Sequence, residues 1–292
     1  MPSWVEHQQR IAALAQRQLF FVGGAPRSGT TWLQQILDAH PEVSCNGEGL
    51  FMQELAVPLE NLMRKRRKAL EDKNKRIFRH TGGYALPAAQ DVEFLIGTAI
   101  LLALRQQKAS ETARAIGEKT PENVFFFPRL KHLFPGAKFI GIARDPRDVL
   151  ASAWHFFHGP MDGKDEAEEK KKFIHTALPS LVEGTRVMIA MAKDDPGHCM
   201  NVTYEALKGA PDATVAGLFR FLGVSDSPAI VAACLARTSF AVQSGRQPGL
   251  ENKGAFFRKG VVGDWTSTFD AEASGIILRE LGWSFAHFGW QA

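Results

Sequence analysis

The chain has 292 residues, of which 45% are hydrophobic and 23% are charged, and its formal net charge is +4. These fractions are those of an ordinary globular protein that can bury a sizeable core. The mild positive charge suits an anionic ligand. Nucleic acid is not a predicted partner, because the sequence contains no zinc-ligand spacing, no RNA-binding aromatic motif and no long basic tail.

Cysteine usage and hydropathy predict where the protein works. Cys45, Cys199 and Cys234 are far apart and odd in number. They therefore suggest neither a disulfide framework nor a metal cluster, and they indicate a reducing compartment. The N-terminal residues are polar and mixed in charge, and the most apolar run, residues 94–104, is too short to span a bilayer. We expect a cytoplasmic protein with no transmembrane segment and no metal.

The first predicted elements are a strand, a glycine loop and a helix. "QLFFVGG", from residue 18, has the short apolar run of a buried strand that ends in glycines. "GTTWLQQILDAHP", from residue 29, places its apolar residues on one helical face, and Pro41 ends the helix. This order of elements is the context in which a phosphate-binding loop occurs.

Three further strands are predicted over residues 113–119, 138–143 and 198–205, and helical patterns separate them. Asp145 followed by Pro146 opens one of these helices, since a capping carboxylate before proline favours a helix start. Strands that alternate with helices indicate a parallel sheet covered on both faces. The predicted fold class is α/β, a three-layer P-loop-like fold with a central parallel sheet flanked by helices.

Two segments look peripheral to this sheet. Residues 63–80 are strongly basic and helical in pattern, which fits either a solvated helix face or a docking site for an acidic acceptor. Residues 158–173 are polar and contain glycine, which predicts a mobile surface loop that could cover the site. Neither internal repeats nor a Pro- or Ser-rich linker divides the chain, so we expect one domain over residues 1–292.

The glycine loop departs from the nucleoside triphosphatase pattern at one position. Gly24 and Gly29 have the spacing of that pattern, and Thr31 occupies its Ser/Thr position, but Thr30 replaces the lysine. The nearest cation is Arg27, and no strand ends in a clear magnesium-binding aspartate. The loop therefore suits a ligand with a short 5′ anionic group bound without metal. A P-loop nucleotide kinase or NTPase is the alternative.

The stretch "GAPRSGTTWLQQILDAHPEV" resembles the 5′-phosphosulfate loop of sulfotransferases that use 3′-phosphoadenosine-5′-phosphosulfate (PAPS). The resemblance implies that the loop binds the phosphosulfate of the donor and that the following tryptophan stacks on adenine. Such a donor has no β,γ-phosphate pair, which accounts for the missing lysine. The residues implied are Arg27, Ser28, Gly29, Thr30, Thr31 and Trp32.

Later stretches resemble other motifs of that family, in the family's order. "ARDPRDVLASAWHF" resembles its 3′-phosphate strand and helix, and "VTYEAL" supplies a tyrosine at the nucleotide. "RTSFAVQ" resembles its adenine support, and "FFRKGVVGDW" resembles the loop that closes over the 3′-phosphate. The family implies in-line, metal-independent transfer from PAPS to a hydroxyl acceptor, with release of 3′,5′-adenosine bisphosphate (PAP). The residues implied are Arg144, Ser152, Tyr204, Thr238, Phe240, Arg258, Lys259 and Gly260.

Catalysis needs cations for the developing charge and a base for the acceptor's proton. Arg27 is predicted to meet the bridging or sulfuryl oxygens, and Lys119 in "GEKTPENV" is the second cation. The cytosolic branch of the family has its catalytic histidine where this chain has Pro121. "LDAHPEVSCNGEGLF" instead resembles tyrosylprotein and some carbohydrate sulfotransferases, in which a glutamate after this helix is the base. The matching residue is Glu48.

Several points stay open at the level of sequence. Glu118 and Glu122 are fallback bases, and a nucleotide-binding protein without catalysis is a third class of function. The hydroxyl acceptor is a small molecule, a glycan, a lipid or a peptide, because fold and base are shared across acceptors. The oligomeric state is likewise open.

Overall fold

The structure, a computed structural model, describes residues 3–107, 112–158, 165–247, 249–250 and 258–292. It contains a parallel five-stranded sheet in the order β2-β3-β1-β4-β5. The strands are β1 Gln18–Gly23, β2 Val43–Asn46, β3 Ala115–Lys119, β4 Lys138–Ala143 and β5 Cys199–Thr203.

Helices connect the strands. They are α1 Trp4–Ala15, α2 Thr30–Asp38, α3 Val57–Arg76, α4 Ala89–Arg105, α5 Asn123–Leu133, α6 Pro146–Phe157, α7 Glu166–Asp194, α8 Tyr204–Gly209, α9 Pro211–Leu222, α10 Pro228–Arg237, α11 Phe240–Ser244, α12 Ala271–Leu281 and α13 Phe285–Phe288. A π-helical segment, Phe51–Ala56, precedes α3, and short 3₁₀ turns occupy Asp264–Ser267 and Gly282–Ser284.

The central strand β1 is buried on both faces, which is why its sequence is apolar without alternation. Phe21 packs into a core with residues of α4, α5 and α7. Its neighbour Phe20 packs into a second core, on the other side of the sheet, with residues of α2 and α9. Successive side chains of a strand point to opposite faces, so one strand serves both cores. The three-layer α/β prediction is confirmed.

Two predicted strands are shorter in the structure, because β3 begins at Ala115 and β5 ends at Thr203, where α8 begins at Tyr204. Two further predictions differ more. Strand β2, at the edge of the sheet, was not predicted, because its four residues are too few for a clear pattern. The predicted mobile loop over residues 158–173 is wrong from Glu166 onward, where α7 begins, and residues 159–164 lie outside the described part of the chain. Asp165 caps this helix by accepting hydrogen bonds from the N–H groups of Ala167 and Glu168.

The sequence predicts no transmembrane segment, and the helices of the structure can be compared with that prediction. Among the residues described, every helix is too short or too polar to cross a membrane.

The close packing of β1 against β3 can be tested at Gly117. A Cβ atom at this position would lie 2.5 Å from both the ring and the backbone oxygen of Phe20. Gly117→Ala should therefore lower the free energy of unfolding by about 1–3 kcal/mol, measured by urea denaturation. The control is Gly136→Ala, because nothing lies within 4 Å of a Cβ at Gly136. Equal unfolding midpoints for the two variants would contradict the packing described.

Candidate active site

A cavity lies at the carboxyl ends of β1, β3, β4 and β5. Strands β3 and β4 lie on opposite sides of β1, so the strand order changes direction at the end of β1. Open α/β sheets bind ligands at such a switch point. The residues that line the cavity are Pro26, Arg27, Gly29, Thr30, Thr31, Trp32, Glu48, Pro121, Arg144, Ser152, Phe156, Phe157, Tyr204, Lys208, Thr238, Phe240, Gln243, Arg258, Lys259, Gly260 and Val261.

The glycine loop presents the start of α2 to this cavity. Gly29 has a φ of 100°, and a Cβ there would lie 2.8 Å from the Tyr204 ring, so only glycine fits. Gly29 also provides no side-chain cap for α2. The first N–H groups of the helix, beginning at Thr30, therefore remain available to an anion in the cavity.

Arg27 sits in the same loop with a φ of 72°, an uncommon conformation for a residue with a side chain. Its guanidinium lies 4.5 Å from the centre of the Phe156 ring, and its Nε donates to Ser152 Oγ at 3.4 Å. Burial, together with the positive charges of Arg144 and Arg258, lowers the pKa of Arg27 to about 10. An anion in the cavity would relieve this repulsion.

Lys119 and Glu48 form an ion pair at the end of β3. Lys119 is buried, and its Nζ lies 2.6 Å from Glu48 Oε1 and 3.2 Å from Thr31 Oγ1. The Glu48 side chain is 50% exposed and lines the cavity. A buried ammonium beside the phosphate loop and a carboxylate open to a ligand are positioned for charge stabilisation and proton removal, respectively.

Glu118, one of the two fallback bases, is held by hydrogen bonds away from the cavity lining. It is buried, and its Oε1 accepts a hydrogen bond at 2.7 Å from the N–H of Gly49, the residue after Glu48. Burial raises the pKa of Glu118, while hydrogen bonds from Thr120, Asn123 and the Gly49 N–H oppose the rise. Neither Glu118 nor Glu122 lines the cavity. This arrangement favours Glu48 over both fallback bases.

Aromatic side chains form one wall. Trp32 meets the Tyr204 ring edge-on, with 5.6 Å between the ring centres, and its Nε1 donates to the Thr238 carbonyl at 2.9 Å. The Arg144 guanidinium lies over the Tyr204 ring, 4.5 Å from its centre. Phe240 packs against Gly260, where a Cβ would lie 2.5 Å from the Phe240 ring. These contacts leave flat apolar surfaces suited to a base.

Two carboxylates hold the segment of residues 258–265 in place. The Asp148 carboxylate is buried and accepts from the N–H groups of Gly263 and Trp265 at 2.8 and 2.9 Å. It also lies 3.3 Å from the Arg144 guanidinium. Asp148 thus ties the cation at the end of β4 to a segment more than 100 residues later in the chain.

The second carboxylate, Asp264, pairs with two of the predicted 3′-phosphate cations, Arg258 and Lys259. Its oxygens contact the Arg258 guanidinium and, at 2.6 Å, the Lys259 ammonium. Burial raises the pKa of Asp264, but the hydrogen bonds and charges of Lys259 and Arg258 outweigh it, so the pKa is lowered. The carboxylate neutralises part of the charge that an anionic ligand would meet.

The structure brings nearly all predicted site residues to one cavity. Lys119 reaches it through its contacts with Glu48 and Thr31. Ser28 is the exception. Its N–H donates to Ala25 within the loop at 3.1 Å, and its buried side chain lines a second, small cavity beneath the loop. This placement does not support a contact between the Ser28 side chain and a ligand in the main cavity. The sequence could not show this, because the spacing of loop residues does not say which side of the loop a side chain faces.

Sequence reasoning missed Lys208. It lies on α8 one turn after Tyr204, lines the same cavity, and its Nζ is 5.9 Å from the centre of the Trp32 ring. Burial lowers the pKa of Lys208, and Arg144 lowers it further. The i, i+4 relation to Tyr204 is the signal that could have identified it.

Within the described ranges, no group of three or more His, Cys, Asp or Glu residues could hold a metal ion.

Comparisons with known proteins agree on one family. A family model described as Sulfotransferase family matches residues 20–228. A putative protein-tyrosine sulfotransferase of Caenorhabditis briggsae is 28% identical over 72% of this chain and 67% of its own length. Protein-tyrosine sulfotransferase 2 of Gallus gallus is 29% identical over 73% of this chain and 53% of its own length. The chain thus spans about two thirds of the first relative and about half of the second.

Solved structures share the fold. A mouse sulfotransferase complexed with PAP superposes with a TM-score of 0.55 at 16% identity, over 96% of this chain and 90% of its own. A sulfotransferase from Alicyclobacillus acidocaldarius has a TM-score of 0.51 at 14% identity, over 94% of this chain and 97% of its own. At these identities the similarity concerns the fold alone.

The role of Asp148 can be tested by Asp148→Ala. The change leaves the N–H groups of Gly263 and Trp265 without an acceptor and the Arg144 guanidinium without its carboxylate. We expect a loss of roughly 3 kcal/mol in the free energy of unfolding and faster tryptic cleavage after Lys259. The exposed Asp194→Ala is the control and should change neither measurement appreciably. Protease resistance that matches the parent protein would contradict the role assigned to Asp148.

Proposed function

The chain belongs to the sulfotransferase family, and we propose that it transfers the sulfuryl group of PAPS to a hydroxyl acceptor and releases PAP. The observation that carries this proposal is the convergence of the phosphate loop, Arg144, and the Arg258–Lys259 pair on one cavity, beside the Lys119–Glu48 ion pair. The phosphate loop suits a 5′ anion, and Arg144, Arg258 and Lys259 suit a 3′-phosphate. A donor with both groups is what separates PAPS from ATP.

Each part of the cavity has a role in holding the donor. The helix start at Thr30, with Arg27 and Thr31, would hold the 5′-phosphosulfate through N–H groups, a hydroxyl and a guanidinium. Trp32, with its edge fixed against Tyr204, would stack on adenine. The 3′-phosphate would be held by Arg144, Ser152, Arg258, Lys259 and the backbone of Gly260, with Thr238 and Phe240 supporting the base.

The transfer step follows from the same placement. The S–O bond to the donor's 5′-phosphate breaks as a new S–O bond forms to the acceptor oxygen. Glu48 takes the acceptor's proton, and Lys119 and Arg27 stabilise the negative charge that develops on the leaving phosphate and the sulfuryl oxygens. Positioning and electrostatics suffice for such an in-line displacement, so the proposal requires no metal.

The acceptor side of the cavity is aromatic at its rim. Phe156 and Phe157 are 43% and 65% exposed, and both line the cavity together with Glu48. The relatives named protein-tyrosine sulfotransferase support a tyrosyl hydroxyl as the acceptor to test first. We further propose a cytoplasmic location, which three buried free cysteines suit, and a single domain over residues 1–292.

The activity is tested by transfer of radioactive sulfur from labelled PAPS in EDTA. The acceptors are a tyrosine peptide, the same peptide with phenylalanine, a phenol and a simple sugar. We expect label in the tyrosine peptide or phenol and none in the phenylalanine peptide. Binding of PAP without transfer to any hydroxyl would leave a nucleotide-binding protein and contradict the enzymatic proposal.

The 3′-phosphate role of Arg258 is tested by Arg258→Ala. Affinity for PAP should fall about ten- to hundredfold, because a charge-assisted contact is lost, whereas affinity for 5′-AMP should change little. Titration calorimetry measures both, and the exposed Arg279→Ala provides the control. An equal loss of affinity for PAP and for 5′-AMP would show that Arg258 does not bind the 3′-phosphate.

The base is tested by Glu48→Gln, which keeps the shape of the side chain and removes its basicity. Turnover should fall by a factor of about 10²–10⁴, while PAP affinity stays within a few-fold of the parent value. Glu54→Gln, an exposed glutamate in the neighbouring π-helical segment, is the matched control. Undiminished turnover in Glu48→Gln would assign the base to another group.

A further inference from the structure

The strongest charge concentration in the sequence lies outside the cavity. Residues 57–86, here called the basic surface, contain nine Lys and Arg against three Asp and Glu, a net charge of +6. The whole chain carries only +4, so the remaining residues together carry −2. The proposed sulfuryl transfer uses no residue of this surface.

Helix α3 lies on the protein with its basic side chains outward. Half-buried positions recur at Leu59, Met63, Leu70 and Asn74, the spacing of one helical face. The arginine and lysine residues from 64 to 68 and at 73, 75 and 76 are exposed. At 20 residues the helix is about 30 Å long, which makes a long basic ridge.

The position of this ridge is fixed from beneath. Arg129 of α5 contacts Glu60 of α3 and Glu93 of α4. Of the three acidic residues of the basic surface, Glu60 is therefore neutralised by a residue of the protein beneath the ridge. On the outer side, Arg67 pairs with Glu71. For the other basic residues of the surface, the described part of the chain supplies no carboxylate partner, so their charge is available to an external anion.

Apolar side chains continue the ridge at its carboxyl end. Ile77, Phe78 and Tyr84 are 56%, 41% and 70% exposed, and Leu86 lies beside them in sequence and is also exposed. The Arg66 guanidinium lies 5.9 Å from the centre of the Tyr84 ring, which places the aromatic group against the basic face. Basic residues alone would fit any polyanion. Exposed aliphatic and aromatic residues beside them favour a lipid interface, where they leave water.

We propose that the basic surface binds the face of a bilayer that contains anionic phospholipids. Helix α3 lies in the plane of the headgroups, with its lysines and arginines against the phosphates, and residues 77–86 enter the boundary of the acyl chains. The association is peripheral, since the helix is far too polar to cross the bilayer. It would place the enzyme on a surface and is independent of the reaction proposed for the cavity.

The test is co-sedimentation of the full chain with vesicles of phosphatidylcholine, with and without about one third phosphatidylserine, at low and high salt. We expect binding to the mixed vesicles only, and weaker binding at high salt because the Debye length shrinks. Lys65→Glu/Lys68→Glu should lower the partition coefficient at least tenfold. Ile77→Ser/Phe78→Ser should lower it as well, without removing the salt dependence.

The matched control is Lys193→Glu/Arg279→Glu, which changes the net charge equally at two exposed positions outside residues 57–86. It should bind like the parent protein. The proposal is overturned if the parent protein stays in the supernatant, if it binds both vesicles alike, or if Lys65→Glu/Lys68→Glu and the control Lys193→Glu/Arg279→Glu lose binding equally. Capture of the parent chain by poly-glutamate but not by vesicles would assign the surface to an acidic polypeptide instead. Thermal unfolding of each variant verifies that it is folded.

Discussion

The site depends on the crowding of cations around a single cavity. Arg27, Arg144 and Arg258 come close enough that the last two, together with burial, lower the pKa of Arg27. Mutual repulsion of these positive charges makes such a cluster unfavourable on its own. Asp148 and Asp264 offset the repulsion by pairing with Arg144 and with Arg258 and Lys259. The remaining positive charge favours a multiply charged anion in the cavity, as the proposed nucleotide would be.

The sheet determines where this cluster lies. Because β1 is flanked by β3 and β4, the loops after three neighbouring strands open toward the same space. They supply the phosphate loop, the Lys119 region and Arg144, in that order along the chain. Tyr204, Thr238, Phe240 and residues 258–261 come from beyond β5 and line the same cavity. One parallel sheet therefore brings the proposed base Glu48 and the residues proposed for the 3′-phosphate to the same cavity.

Local patterns were enough to predict most of this arrangement. A strand, a glycine loop and a helix occupy consecutive residues, so the local sequence is enough to predict how they are arranged. The order of the motifs along the chain then led to the proposed donor site. What sequence could not give is tertiary. The bond from Gly263 to Asp148 joins residues 115 positions apart, and the burial of Glu118 depends on the edge strand β2. Likewise, the direction of the Ser28 side chain depends on the residues that pack beneath the glycine loop.

The most direct test of the account is calorimetric titration with PAP in EDTA, compared with ATP in Mg²⁺. The central claim is that the cavity recognises a 5′ anion and a 3′-phosphate together and without metal. It predicts tight binding of PAP in EDTA and much weaker binding of MgATP. A preference for MgATP would contradict the claim and return the loop to the nucleotide kinases and triphosphatases, despite Thr30.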